Sequence, residues 1–418
     1  MGVYVKKFWD STQFGRPSGP YSPYIPDTLS NREFSFSEQT MLAISQASEA
    51  IIRLDSQGVT LTNTEPLARL LIRSEAVASS RIEGLSMSAK RLLEHEALVE
   101  IGVTPRPDST EAAILANIQI MHEHVFSAHH GDPIDLALLK QINAELLADG
   151  LLKDHGGIVR TEQNWIGGSA LDPVGASYIP PVPEEVPRLI DDLLRFCNTS
   201  GLPSVAKAAL AHAQFESIHP FADGNGRTGR ALTLLVLRSG GLMERTLPPI
   251  SMSIASNRGT YIDALEKLHC TEDDELRSAQ EAFIRYFCSA VVDACGLARS
   301  FEERIECLRA SWVERVRPRR GSAAERLLDV LPGTPVVSIQ SAARLTGRSR
   351  EAARNAIQTL VDNGVLVQNA RNKKSNIFSA DEVLDAFTLF ERAAVTHVHD
   401  TVNARPARAV PQKPKRSK

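Results

Sequence analysis

A mainly α-helical fold, with one small β excursion and a C-terminal winged helix-turn-helix, is what this 418-residue sequence predicts. Three observations predict it. Apolar residues recur at helical spacing from about 36 to 160 and again after 183, and residues 161 to 183 break that rhythm with paired glycines, prolines and strand formers. Near residue 318 a short basic linker sets off a last group of three helical segments. At this length two or three compact units are expected.

Taken in order, residues 1 to about 35 are rich in Pro, Gly, Ser and aromatics, so they are expected to run extended over a surface, docked by the aromatic rings. Leu67, Leu70 and Leu71 fall at helical spacing behind Pro66, a good first-turn residue. "IDLALLKQINAELLADG" reads as a helix closed by a glycine at the C-cap position. "TEQNWIGGSALDPVGASYIPPVP" suits a short hairpin. "EVPRLIDDLLRFC", "VAKAALAHAQFESI" and "GRALTLLVLRSGG" follow as helices, the last apolar enough to be central and buried. After a helical stretch ending near Arg317, "AERLLDVL", "SIQSAARLTG" and "SREAARNAIQTLVDNGVL" form three short helices, and "VQNARNKKSNIFSA" alternates like a two-stranded wing. The final "ARPARAVPQKPKRSK" has six basic residues and no acid, and is expected to be disordered.

A net charge of −3 argues against a chain-wide nucleic-acid or membrane surface. "MGVYVKKFWD" has no apolar export region, and position 6 is Lys where a myristoylation signal wants Ser or Thr. No apolar run approaches the roughly 20 residues that cross a bilayer, so a soluble, cytoplasmic protein is the expectation. The five cysteines, Cys197, Cys270, Cys288, Cys295 and Cys307, are odd in number and lack CxxC spacing, and read as small core residues.

The stretch "HPFADGNGRTGR", His219 to Arg230, concentrates the chemistry. Gly224 and Gly226 let backbone N–H groups approach an anion, and a helix starting near Asn225 aims its positive end at it. Arg227 and Arg230, three apart, share a helix face and reach further phosphate oxygens with planar forks. Asp223 offers one carboxylate to a Mg²⁺ that keeps phosphate and water ligands. His219 is placed to take a proton from an incoming hydroxyl. The donor set is that of a polyphosphate site.

These residues match the Fic signature H-P-F-x-[D/E]-G-N-G-R-x-x-R at every specified position, and the chain resembles bacterial Fic adenylyltransferases over most of its length. "NWIGGSALDPVGASYIPPVP" resembles the family's target-binding flap, and "TEPLARLLIRSEAVASSRIEGLSM" its inhibitory helix. The resemblance implies a Fic helical fold and transfer of AMP from ATP to a protein Ser, Thr or Tyr hydroxyl. It makes His219 the general base, Asp223 the Mg²⁺ ligand, Asn225 with the Gly224 and Gly226 amides the anion hole, and Arg227 and Arg230 the β- and γ-phosphate partners. Phe221 becomes a structural anchor, Asn257 and Tyr261 nucleoside-side candidates, and Ile166 and Tyr178 candidate clamps on a target strand.

"SSRIEG" fits the inhibitory pattern [S/T]-x-x-x-E-[G/N], with Ser79, Glu83 and Gly84 in place. By resemblance, Glu83 pairs with Arg230 and misaligns ATP. The expected layout is an N-terminal helical region to 110, a catalytic core over 111–317, a winged helix over 318–395 and a basic tail over 396–418. The partners expected are a hydroxyl-bearing protein target and the chain itself, with no membrane. A homodimer stays open, since no stripe identifies its surface. Removal of AMP, transfer of another phosphate-containing group, and a nucleotide-sensing DNA-binding regulator stay open too. The last would rest on Arg348, Arg350 and Arg354 with Arg371, Lys373 and Lys374 of the wing.

Overall fold

The computed structural model describes residues 2–10, 18–57, 65–100, 106, 109–169, 171–368 and 377–396. The N-terminal segment differs from the expected plain extended run. Its strands β1 (Val3–Tyr4), β2 (Lys7–Trp9), β3 (Gly19–Tyr21) and β4 (Tyr24–Ile25) form two antiparallel ladders, β1 with β4 and β2 with β3. Aromatic side chains dock this arm: Tyr24 is buried, with its hydroxyl donating to the Cys270 carbonyl at 2.9 Å, and the rings of Trp9 and Trp165 meet edge-on at 5.8 Å.

Helices build the rest of the core: α1 (Glu38–Gln57), α2 (Glu65–Ile82), α3 (Ala89–Glu100), α4 (Thr110–Ile120), α5 (Leu136–Leu147), α6 (Val186–Thr199), α7 (Ser204–Ile218), α8 (Asn225–Ser239), α9 (Ile250–Ser256), α10 (Arg258–Glu266) and α11 (Asp273–Val316). Local caps set several starts. Ser109 accepts from the Ala112 amide at the head of α4, and Asp135 from the Leu138 amide at the head of α5. A π-helical turn, Met121–Phe126, continues α4. The expected glycine cap on α5 does not form: the helix ends at Leu147 with Ala148 as its C-cap, because the chain keeps turning into a short 3₁₀ segment, Lys153–His155.

α8 is the central helix, buried from Asn225 through Arg238 and packed against α7. The 44-residue α11 runs alongside α1. Cys197, Cys288 and Cys295 sit in the core, where burial pushes each thiol up to about 12. Cys270 is only partly covered and Cys307 is exposed, so the core reading fails for these two, which lie on outward positions of their segments.

The C-terminal unit comprises α12 (Ala323–Val330), β5 (Val336–Ser338), α13 (Ile339–Thr346), α14 (Arg350–Asp362), β6 (Val367–Gln368), β7 (Ile377–Ser379) and α15 (Asp381–Thr396). Its sheet has three antiparallel strands in the order β5-β7-β6, one more than the expected pair, because Val336–Ser338 zips onto Ile377–Ser379. Trp312 on α11 is fully buried and donates from Nε1 to Glu382 of α15 at 2.5 Å, which fixes the unit to the core. Arg371, Lys373, Lys374 and the basic tail beyond residue 396 lie outside the described residues. No helix among the described residues is long and apolar enough to cross a membrane.

Candidate active site

The signature spans the end of α7, a short loop and the start of α8. His219 closes α7 in the left-handed region (φ 50°), with its N–H on the Phe215 carbonyl at 2.9 Å. That unusual conformation is held from outside. Buried Arg160 donates from Nε to the His219 carbonyl at 2.8 Å and from Nη2 to the Pro181 carbonyl at 2.6 Å, and Asn164 donates to the carbonyls of His219 and Phe221. Nδ1 of His219 lies 3.4 Å from the Glu216 carbonyl, which can only accept, so Nδ1 carries the proton and Nε2 is the basic nitrogen. Burial, then the nearby Arg160 charge, lower its pKa to about 4, so the imidazole is neutral at pH 7.

Phe221, fully buried, anchors the loop and bridges to Val159. Asn225 turns its amide group back onto that anchor. Its Oδ1 accepts from the Phe221 N–H and its Nδ2 donates to the Phe221 carbonyl, both at 2.8 Å. The Asn225 side chain therefore shapes the cradle rather than pointing into it. Gly224, at φ 75°, makes the left-handed turn into α8, and its N–H is held by Asp223 Oδ1 at 2.7 Å.

The two arginines end in different states. Arg230 is almost fully buried and satisfied: Nε donates to Ser79 Oγ, and Nη2 to Ser79 O and to Glu83 Oε1, each at 2.8 Å. Arg227 is 6% exposed, yet its Nε and Nη1 are buried without a hydrogen-bond partner. Gly84 follows α2 at φ 84°. Burial alone would raise the Glu83 carboxyl, but the Arg230 guanidinium holds it below its ordinary value.

A cavity of about 170 Å³ runs from this cradle past α10. Its lining joins Glu83, His219, Gly226 and Arg230 to Tyr261, Ile166 and Tyr178. Asn257 is not part of the lining and caps α10 instead, accepting from the Thr260 amide. Tyr261 is buried, with its hydroxyl 2.8 Å from His212 Nε2. In the flap the expected hairpin contracts to a single antiparallel bridge, Ile166 with Tyr178. Tyr178 turns inward, stacked on His269 at 4.0 Å with its hydroxyl on the Ser217 carbonyl, whereas Ile166 is exposed.

Sequence reading missed Arg160, Glu216, His269 and Arg258, the last of which lines the cavity and donates from Nε to the Ile82 carbonyl at 2.8 Å. A lone arginine in a loop carries no signal, and Glu216 becomes visible only because α7 turns its carboxyl toward Gly229 of α8, where burial raises its pKa to about 7. A larger hollow of about 410 Å³ lies on the other flank of α2 and includes no signature residue. Among the described residues, the group Glu123, His124 and Glu145 has metal-ligand spacing, but Gln119 and Gln141 already donate to its two carboxylates.

Residues 133–237 match the Fic/DOC family, and residues 41–123 match the Fic/DOC family N-terminal region. A probable protein adenylyltransferase of Aquifex aeolicus is 38% identical over 94 residues, covering 22% of this chain and 27% of that protein. The protein adenylyltransferase fic-1 of Caenorhabditis elegans is 27% identical over 211 residues, covering 49% of this chain and 37% of that one. The chain thus spans between a quarter and two fifths of the length of these relatives. A Fic family protein from Desulfovibrio desulfuricans shares the fold, with a TM-score of 0.50 at 20% identity over 83% of this chain and 97% of that one. Two adjoining domain matches and an uninterrupted signature at the start of α8 lead to one conclusion: residues 133–237 carry a Fic/DOC domain, with its N-terminal region at residues 41–123.

Proposed function

We propose that this chain is a protein adenylyltransferase that moves AMP from ATP to a Ser, Thr or Tyr hydroxyl of a protein, itself included, and that Glu83 restrains it. The observation that carries the reading is Arg227. A guanidinium buried with two N–H groups unanswered, beside the amide end of a buried helix, is a place that an anion would complete. Arg230 lies three residues on, where a second phosphate follows the first.

In the reaction, His219 Nε2 takes the proton of the target hydroxyl while the hydroxyl oxygen bonds to the α-phosphorus. The α–β bridging oxygen leaves with its electron pair as pyrophosphate. Arg160 and Asn164 keep His219 in position, and the bridge at Ile166 presents a strand edge beside it. Asp223, exposed at the mouth of the cradle, supplies a single carboxylate, which suits Mg²⁺ because that ion takes one or two carboxylates together with phosphate and water. Bound there, Mg²⁺ would neutralise phosphate charge.

Glu83 takes the Arg230 fork that the outermost phosphate needs. Suppression by a thousandfold would correspond to about 4 kcal/mol. The test is intact-mass analysis of wild type, Glu83→Gly and His219→Ala after incubation with ATP and then with Mg²⁺ alone. An AMP adduct that is strong in Glu83→Gly, weak in wild type and absent in His219→Ala supports the reading. Equal adducts in wild type and Glu83→Gly refute the restraint, and loss of the adduct under Mg²⁺ alone identifies AMP removal.

For the C-terminal unit we read a winged helix-turn-helix. Arg350 and Arg354 are both exposed one turn apart on α14, a placement that suits a phosphate backbone. Salt-sensitive retention of the full chain on duplex DNA, lost in Arg350→Ala/Arg354→Ala, is the outcome that distinguishes a nucleic-acid partner from a protein one.

A further inference from the structure

The inhibitory helix is gripped from its far side. Ser79 of α2 and Glu83 just after it face Arg230, while Arg81 projects from the opposite side of the helix and Arg73 from its flank by the 3.6-residue period. Arg73 donates from Nη1 to the Gly333 carbonyl of the C-terminal unit at 2.6 Å, and from Nε to Glu96 of α3 at 2.8 Å. Arg81, two residues before Glu83, lies 3.9 Å from the buried carboxylate of Glu391 on α15.

A third tie is apolar. α3 follows the inhibitory helix after the short link at residues 83–88, yet its Leu93 is buried with Val336 of β5, Ile377 of β7 and Leu384 of α15. α3 bridges the two: its Leu92 is buried with Val77 of α2 and Ile114 of α4, and its Leu93 with the C-terminal core. Glu83 itself sits just past the last residue of α2 with a side chain 39% exposed. An ion pair open to solvent on one side is weak, and a helix end frays unless something fixes it. From the core side Arg258 donates to the Ile82 carbonyl at 2.8 Å and Asn117 to the Ala76 carbonyl at 2.8 Å, so the position of Glu83 depends on these bonds together with what holds α2 from behind.

We infer that the C-terminal unit, residues 323–396, holds the inhibitory helix where Glu83 can reach Arg230, so that displacing the unit releases the nucleotide site. The inference rests on the transferase reading above for its consequence, but not for its structural content.

The experiment uses the full chain with Arg73→Ala, Leu93→Ala and Glu391→Gln, each alone and combined with Glu83→Gly. Amide hydrogen exchange over residues 76–84 and self-labelling with radioactive ATP are read in parallel. Each single variant is expected to speed exchange over 76–84 and to raise labelling, by roughly tenfold for Arg73→Ala, the scale of one lost charged hydrogen bond. In the Glu83→Gly background the same changes are expected to add nothing, which a merely destabilising substitution would not reproduce. Glu391→Gln keeps the side-chain volume, so it stays interpretable if Leu93→Ala fails to fold. Unchanged exchange over 76–84 in variants that unfold at the wild-type temperature overturns the inference, as does the same labelling gain with and without Glu83. If Glu83→Gly does not label at all, the transferase reading falls, and the exchange data still decide whether the unit holds the helix.

Discussion

Glu83 Oε1 occupies the space that a side chain on Gly226 would need: a Cβ built on Gly226 would lie 2.0 Å from it. The Glu83 carboxylate therefore stands over the first turn of α8, where backbone N–H groups converge and an anion is favoured. It stands where an anion would, and it holds the Arg230 fork.

Gly226→Ala separates these two effects. The new methyl group would expel the Glu83 carboxylate, since it would also lie 2.9 Å from Cδ, yet it would fill the cradle itself. The expected result is no rise in self-labelling and no ATP binding by calorimetry, in wild type and in Glu83→Gly alike. Nucleotide uptake by the Gly226→Ala, Glu83→Gly double variant would show that the cradle lies elsewhere.

Ser79→Ala removes the acceptor for Arg230 Nε while leaving the backbone and Glu83 contacts intact. One lost hydrogen bond to a charged donor is about 1.5 to 3 kcal/mol, so labelling should rise by roughly ten- to a hundredfold, short of the Glu83→Gly level. Initial labelling rates of the three proteins, measured side by side, check that order.

Arg227→Leu should trade binding for stability. Without a ligand, the buried guanidinium leaves Nε and Nη1 unanswered, at about 1 to 3 kcal/mol for such groups. The variant is expected to unfold at a higher temperature than wild type in nucleotide-free buffer and to lose the stabilisation that ATP confers on Glu83→Gly. Thermal scans with and without ATP read both effects.

The pH dependence has a defined sign. A histidine lowered from its ordinary 6.5 to about 4 stays neutral, and hence basic, as pH falls through 6.5, and protonates only as pH approaches 4. The imidazole signal of His219 in labelled protein should therefore not move between pH 8 and 5. Glu216, raised by burial to about 7, lines the same cavity, so an inflection of kcat/KM near neutrality should disappear in Glu216→Gln and persist if His219 is its source.

Much of the fold was legible because helical periodicity is written locally, and α6, α7 and α8 lie where their apolar patterns put them. The N-terminal ladders were not, because strand pairing between Val3–Tyr4 and Tyr24–Ile25 has no periodic signature in segments of two residues. The hairpin expected at 161–183 contracted to one bridge because Gly167, Gly168 and Gly175 turn the chain at positive φ inside it, and Pro180 and Pro181 beyond it carry no N–H for a ladder. The inhibitory pairing of Glu83 with Arg230 entered through resemblance to a family; no spacing argument joins residues 147 positions apart.

By itself, the sequence determined the cradle: twelve consecutive residues carry the left-handed glycine, the helix start and both arginines, and such a site is local because backbone amides bind what lies directly in front of them. Only the tertiary structure decided which arginine is occupied, which loop residues hold His219, and that α3 packs into the C-terminal unit. The physical reason is that these contacts form between surfaces that meet when separate elements bury their apolar faces together, and burial over long chain separations leaves no periodic trace in the residues that achieve it.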